Sequence, residues 1–144
     1  MIALMSHILL IECLISSILV GLIWTIQLIH YPSFYYIRAH DFQRFESFHC
    51  SRISFIVVPL MLTEVVMALY NILFHFSLLR LSVLLLIAFI WCITFFVSVP
   101  CHDKLATGYD EYTVGRLIST NWYRTVAWSL KFIILGVNIV TLSN

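Results

Sequence analysis

Charge is what this chain is poorest in: Asp, Glu, Lys and Arg together make up 10% of its 144 residues, against 62% apolar. A soluble domain needs a far more polar surface to stay wet, so the scarcity excludes one and makes lipid the solvent. The 8 Lys and Arg gather in no patch and leave a net charge of +1. Phosphate recognition needs clustered cations, which excludes nucleic acid as a partner. Of the 4 cysteines, Cys13 and Cys92 sit inside apolar runs as small hydrophobes, while Cys50 and Cys101 lie beside histidines at run ends; they make no disulfide framework. Internal repeats and low-complexity tracts are missing. No Lys or Arg precedes the first apolar run and no small-x-small site closes it, so it reads as a membrane span and not as a secretory signal.

What is present is apolar sequence in runs of spanning length. The chain has room for about four spans of ~20 residues and no separate soluble domain. The spans fall at about 2–30, 53–74, 81–99 and 121–142, in one domain. The first is interrupted by Ser6, His7, Glu12, Ser16, Ser17, Thr25 and Gln27. It ends at His30-Tyr31-Pro32, because proline pushes the preceding residue out of helical geometry. From Ser33 to Ser51 aromatics alternate with charges; Phe42, Phe45 and Phe48 share a face with His49, which predicts an amphipathic helix on the membrane surface. Pro59 predicts a kink in the second span. Asn71 to Arg80 reads as a turn, Pro100 as the end of the third span, and Leu105 to Thr120 as a polar loop with a short surface helix at most. The predicted fold is all-α, an antiparallel four-helix membrane bundle with an interfacial amphipathic helix between spans one and two. Arg38, Arg44, Arg52, Lys104, Arg116 and Arg124 fall on one side and Arg80 on the other, so the positive-inside rule makes the first and third connections cytoplasmic and puts both termini outside. Tyr31, Phe34, Tyr35, Tyr36, Trp122 and Tyr123 then supply an interfacial belt.

Few polar groups enter these spans, and each needs a partner or a task. Glu64 lies ~18 Å beyond Arg52 and Lys131 ~16 Å beyond Thr120, at 1.5 Å per residue, which matches them as an ion pair. Alternatively Glu64 is a proton carrier or ligand. Glu12 and Arg80 form a second expected pair. At the cytoplasmic end every span contributes: Gln27 and His30, then Glu46, His49 and Arg52, then His102 and Asp103, then Asn121 and Arg124. Bundles build ligand and metal sites from such convergence. The candidate catalytic residues are His49, Arg52, Glu64, Asn121 and Arg124. His30, His49 and His102 are candidate haem ligands, and the same three with Glu64 or Glu46 candidate ligands for iron, copper or zinc. Glu46-x-x-His49 is a di-iron spacing that such bundles need twice and this chain shows once. His49-Cys50 and Cys101-His102 lack the gap usual between zinc ligands. Without a metal, Arg52 and Arg124 would bind a carboxylate, phenolate or lipid phosphate, with Asn121 donating a hydrogen bond and a histidine as general base, on a hydrophobic small molecule that enters from the bilayer. The competing expectation is a non-enzymatic transport or assembly subunit whose buried polar groups fix helix packing.

Three motifs carry a resemblance. Trp24-x-x-Gln27-x-x-His30-Tyr31-Pro32-x-Phe34, then His49-x-x-Arg52 with Pro59-x-Met61-x-x-Glu64, then Asn121-Trp122-x-Arg124-Thr125-x-x-Trp128 look like a family of small uncharacterised bacterial four-span membrane proteins, which implies the bacterial inner membrane. The four-span layout with Asn121-x-x-Arg124 is similar to the anthrone oxygenase-like membrane family. The order of a proline-terminated first span, a basic amphipathic segment and a proline in span two resembles the membrane-embedded protoporphyrinogen oxidases. What these two imply is an oxidoreductase or oxygenase acting on a hydrophobic aromatic substrate, with or without haem or a metal.

Overall fold

Apolar backbone in lipid has no water to bond, so it must satisfy its own N–H and C=O groups, and here it does so as helix throughout. The computed structural model describes the backbone of residues 2–143 and the side chains of residues 8–141; Ser6 and His7 lie outside the described side chains. Four helices are long and apolar enough to cross a membrane. Helix α1 runs Ile2–Thr25 and continues through a π turn at Ile26–His30, a helical turn at Tyr31–Ser33 and a 3-10 turn at Phe34–Tyr36. Helix α2 is Ala39–Phe74. Helix α3 is Leu78–Ile93, continued by a π turn at Thr94–Ser98 and by Val99–Leu105. Helix α4 is Glu111–Ser143.

The connections are short. His75 to Ser77 join α2 to α3, with the Ser77 hydroxyl capping the new helix through the Arg80 N–H at 3.2 Å. The end of α1 meets the start of α2 and the end of α3, as side-chain contacts between His30 and His49 and between Tyr31 and His102 require. The bundle is therefore antiparallel. Its interior falls into three layers, around Phe34 and Leu117, around Leu19 and Trp128, and around Leu9 and Leu135. Outward, Leu14, Phe55, Val66, Phe96, Val126 and Ile133 are all more than half exposed. An apolar exterior on this scale belongs against lipid tails.

The proline-based boundaries are corrected. Pro32 does not end α1 and Pro100 does not end α3, because each follows a π turn in which the chain bonds five residues back: Tyr31 N–H to Ile26 O, and Val99 N–H to Thr94 O. The wider turn accommodates a ring that lacks an N–H and would collide with the carbonyl four residues earlier. The amphipathic segment exists, but as the first turns of α2, whose 36 residues span ~54 Å, well beyond the ~30 Å of hydrocarbon. Phe42 is fully buried on its inner face, while Phe48, expected on the same face, is 60% exposed. The polar stretch after Leu105 is a five-residue turn, and α4 starts at Glu111, ten residues before the expected Asn121. The Asp110 carboxylate accepts from the Thr113 N–H at 3.1 Å, and Val114 and Leu117 are fully buried, so this first part of α4 packs instead of looping. Tyr31 and Phe34 are likewise interior, whereas Tyr35, Tyr36, Trp122 and Tyr123 are exposed as an aromatic belt requires.

Candidate functional site

The two π turns lie at the same end of the bundle, and each immediately precedes the residues that approach α2. One inserted residue turns the following side chains about 100° further round the helix, which lets Ile26 and Gln27 at the start of the π turn and Tyr31 and Phe34 after it all face inward. Opposite them, Glu46, His49 and Cys50 occupy consecutive turns of α2, at the i, i+3 and i+4 positions that share a helical face. His102 comes from the last segment of α3.

These residues form two linked groups. His30 Nε2 and His49 Nδ1 are 2.6 Å apart, their rings 4.3 Å between centroids, so one proton is shared between two imidazoles. His49 Nε2 is buried and has no partner. Beside them, His102 Nδ1 lies 2.5 Å from Glu46 Oε1, and the Tyr31 hydroxyl 3.0 Å from His102 Nε2. An ionised carboxylate only accepts, so the His102 Nδ1–H donates to it, and the other ring nitrogen shares a hydrogen bond with the Tyr31 hydroxyl. The Cys50 thiol donates to the same Glu46 oxygen at 3.2 Å. The His49 and His102 rings are 5.5 Å apart, close enough for one bridging water between the groups.

A groove of about 270 Å³ opens between α1 and α2 onto the outer face of the bundle. Leu22, Ile26, Ile53 and Ile56 wall it, and His30, His49 and Arg52 supply its polar groups. That volume is at the small end for a ligand pocket, suited to one or two rings with the rest of the molecule in lipid.

Of the expected site residues, His30, His49 and His102 do converge. Arg52 and Arg124 do not form a clamp. Arg52 is exposed, stacked on Phe48 at 5.6 Å, and stands at the groove. Arg124 is buried beside the site, where its guanidinium reaches the Tyr31 hydroxyl, donates to Ser98 Oγ at 3.3 Å and Asn121 Oδ1 at 3.2 Å, and lies 5.1 Å from the Trp128 ring. The cavity beside it, about 10 Å³, holds a single water at most. Asn121 is committed to packing too: its Nδ2 donates to Gln27 Oε1 at 2.9 Å, and Gln27 donates to the Ile118 carbonyl at 3.2 Å.

Glu64 is not with the histidines. It lies 15 residues, ~22 Å, along α2 from His49, paired with Lys131, and its other oxygen accepts from Trp128 Nε1 at 3.2 Å. It cannot share a metal with His30, His49 or His102. The expected Glu12–Arg80 ion pair does not form: Glu12 accepts from Asn71 at 2.7 Å, and the Arg80 guanidinium turns to the His75 carbonyl. His30 Nε2 and His49 Nδ1, 2.6 Å apart, stand closer than the ~4 Å between two nitrogens that ligate one haem iron from opposite sides. Cys101 is buried among apolar side chains, away from Cys50, so no two-Cys, two-His site assembles. The donor set that does assemble is Glu46, Cys50 and His102, whose ligand atoms all lie within 4.8 Å of one another. The Glu46-x-x-x-Cys50 spacing held that signal in plain view. Tyr31 was hidden by its place before a proline.

Fold and interior together define a class: a multi-pass helical membrane protein with a polar site at one end of a four-helix bundle. No family model, curated protein or solved structure matches the chain.

Proposed function

We propose that this protein takes a hydrophobic aromatic molecule from the bilayer into the α1–α2 groove and oxidises it, with the His30–His49 pair accepting the proton that leaves. The observation that carries this reading is the direct imidazole contact on the wall of an apolar groove that opens towards lipid. Two imidazoles sharing one proton form a base able to take a second, and apolar surroundings strengthen its attraction for an acidic C–H or O–H. Arg52 stands where an oxyanion formed at the mouth would gain a charge-assisted hydrogen bond. An anthrone-type carbon acid would lose its proton to this pair, and dioxygen would replace the two hydrogens of that carbon by one oxygen, releasing water and leaving the quinone. The membrane is a bacterial inner membrane, with the histidine end cytoplasmic and both termini outside.

Anthrone supplied to the protein in lipid nanodiscs tests this. Quinone absorbance should rise with uptake of one dioxygen per anthrone. His49→Phe should slow it by roughly 100-fold or more, the usual contribution of a general base. Ile56→Trp, which fills the groove, should abolish it, and Arg52→Gln should act mainly on KM. A rate equal to that of empty nanodiscs sinks the oxidation.

A second reading, a transport or assembly subunit, draws on the deeper layers. Glu64 with Lys131, Asn121 with Gln27 and Asn71 with Glu12 pair between helices, and none of them lines the α1–α2 groove. A rate no higher than that of empty nanodiscs, with an unfolding midpoint lowered by Asn121→Ala and unchanged by His49→Phe, would favour it.

A further inference from the structure

Behind the groove, Glu46 poses a separate problem. The carboxylate is fully buried, yet its two oxygens are treated unequally: Oε1 receives both the His102 imidazole and the Cys50 thiol, and Oε2 has no partner at all. A bare carboxylate oxygen in an apolar interior is costly, and buried polar atoms normally find a partner. Among the described residues no Lys or Arg forms an ion pair with it. What surrounds it is a thiol sulfur, an imidazole nitrogen and its own two oxygens.

We propose that Glu46, Cys50 and His102 form a binding site for a divalent transition metal of the zinc type, with a fourth position left open to water or a small ligand. Sulfur, nitrogen and oxygen together suit a borderline-soft ion and disfavour magnesium or calcium, which take oxygen ligands. Bonds of ~2.0–2.3 Å in a tetrahedron set donor atoms roughly 3.3–3.8 Å apart. The three donors are already within 4.8 Å of one another, so side-chain rotation suffices and no helix need move. Two donors ride on adjacent turns of α2 and the third on α3, so the ion would also tie these helices together.

The remaining His102 nitrogen supports the assignment. A metal-bound histidine almost always has its other nitrogen held by a hydrogen-bond partner, and the Tyr31 hydroxyl is 3.0 Å from His102 Nε2. On binding, the thiol proton is released to water and the imidazole proton moves from Nδ1 to Nε2, where the Tyr31 oxygen accepts it. This site does not rest on the groove reading: none of Glu46, Cys50 and His102 lines the groove, although the His49 ring lies 5.5 Å from that of His102.

Cobalt(II) titrated into the full-length protein in detergent is the test, because its spectrum reports both geometry and ligand sulfur. One equivalent should bind, with the strong visible bands of a four-coordinate ion and a near-ultraviolet sulfur-to-cobalt band, both removed by zinc(II). Cys50→Ser should remove the sulfur band, while Cys101→Ser leaves the spectrum unchanged. Tyr31→Phe should weaken binding by roughly 10- to 100-fold, the usual cost of losing an outer partner. Should Cys50→Ser fail to fold, judged by gel filtration and circular dichroism, the near-isosteric Glu46→Gln serves, with the same loss of affinity expected. Absence of the sulfur band, or its persistence in Cys50→Ser, overturns the site and leaves a plain Glu46–His102 hydrogen bond. Ile56→Trp should leave the titration unchanged, so failure of the metal site and failure of the groove reading give different results.

Discussion

Lys131 is completely buried, and an ammonium in hydrocarbon survives only with its charge answered. Glu64 answers it, and Trp128 fixes the carboxylate's second oxygen. Removing Lys131 strands Glu64, and removing Glu64 leaves Lys131 with the Glu12 carboxylate nearby but not bonded to it, whereas removing both leaves two neutral side chains that pack. Glu64→Gln or Lys131→Met alone should therefore cost about 3–5 kcal/mol, and the double variant much less than their sum. Denaturant titration in mixed micelles measures the cycle; additive losses would show that the two charges are independent. The matched depth of this pair was readable by counting residues along two spans. The identity of the carboxylate beside the histidines was not. Counting put Glu64 ~18 Å beyond Arg52 in the second span and Glu46 in the amphipathic segment before it, but could not say that the two segments are one helix whose Glu46 faces His102. Arg52 and Arg124 show the same limit: both open a span, and only the rotation of each helix separates the exposed one from the buried one.

At the scale of the element, the four crossings were visible as apolar runs, and what escaped was how they end. Proline reads as a terminator because an ordinary α-helix has no room for its ring, yet Pro32 and Pro100 each follow a π turn that makes the room. The start of α4 was hidden by composition: Thr113, Arg116, Thr120 and Asn121 look like loop, although Val114, Leu117, Asn121 and Trp128 keep one helical face buried. Asp110 sets this start. Its carboxylate receives the Thr113 N–H and the Lys104 ammonium, the latter at 2.6 Å, and the Lys104 and Thr113 hydrogen bonds hold its pKa below the usual carboxylate value of 3.8. A depressed folded pKa means the cap contributes in full above the unfolded value and is lost as pH falls below it. The amides of Glu111 to Val114 should then exchange faster relative to the rest of α4 as pH drops below about 4, and Asp110→Ala should show that faster exchange at neutral pH. Equal protection in the variant would mean that packing of Val114 alone anchors the turn. Gly108, in the same connection, has φ of 149°, a conformation that other residues rarely adopt. Gly108→Ala should cost roughly 1 kcal/mol, seen as a lower unfolding midpoint.

The molecule as a whole carries the exposed cations of its described residues at one end. Arg38, Arg44, Arg52, Lys104 and Arg116 are all exposed at the end that holds the histidines. At the opposite end Arg80 turns inward to the His75 carbonyl, so among the described residues no exposed Lys or Arg remains there. The charge asymmetry is thus sharper in three dimensions than a count along the chain, which scored Arg80 as outward and Arg124 as a loop charge. Translocation retains exposed basic residues near span ends on the cytoplasmic side, so the proposed orientation has both termini outside. Alkaline phosphatase, active only outside the cytoplasm, should be active when fused after Asn144 and inactive when inserted between Thr107 and Gly108. Three lysines placed in the His75–Ser77 turn should weaken this preference or split the population, because they restore cations to the end that lacks them. The reverse pattern in the unaltered protein would put the groove mouth and Arg52 at the outer leaflet, and the aromatic substrate would then have to arrive from that side.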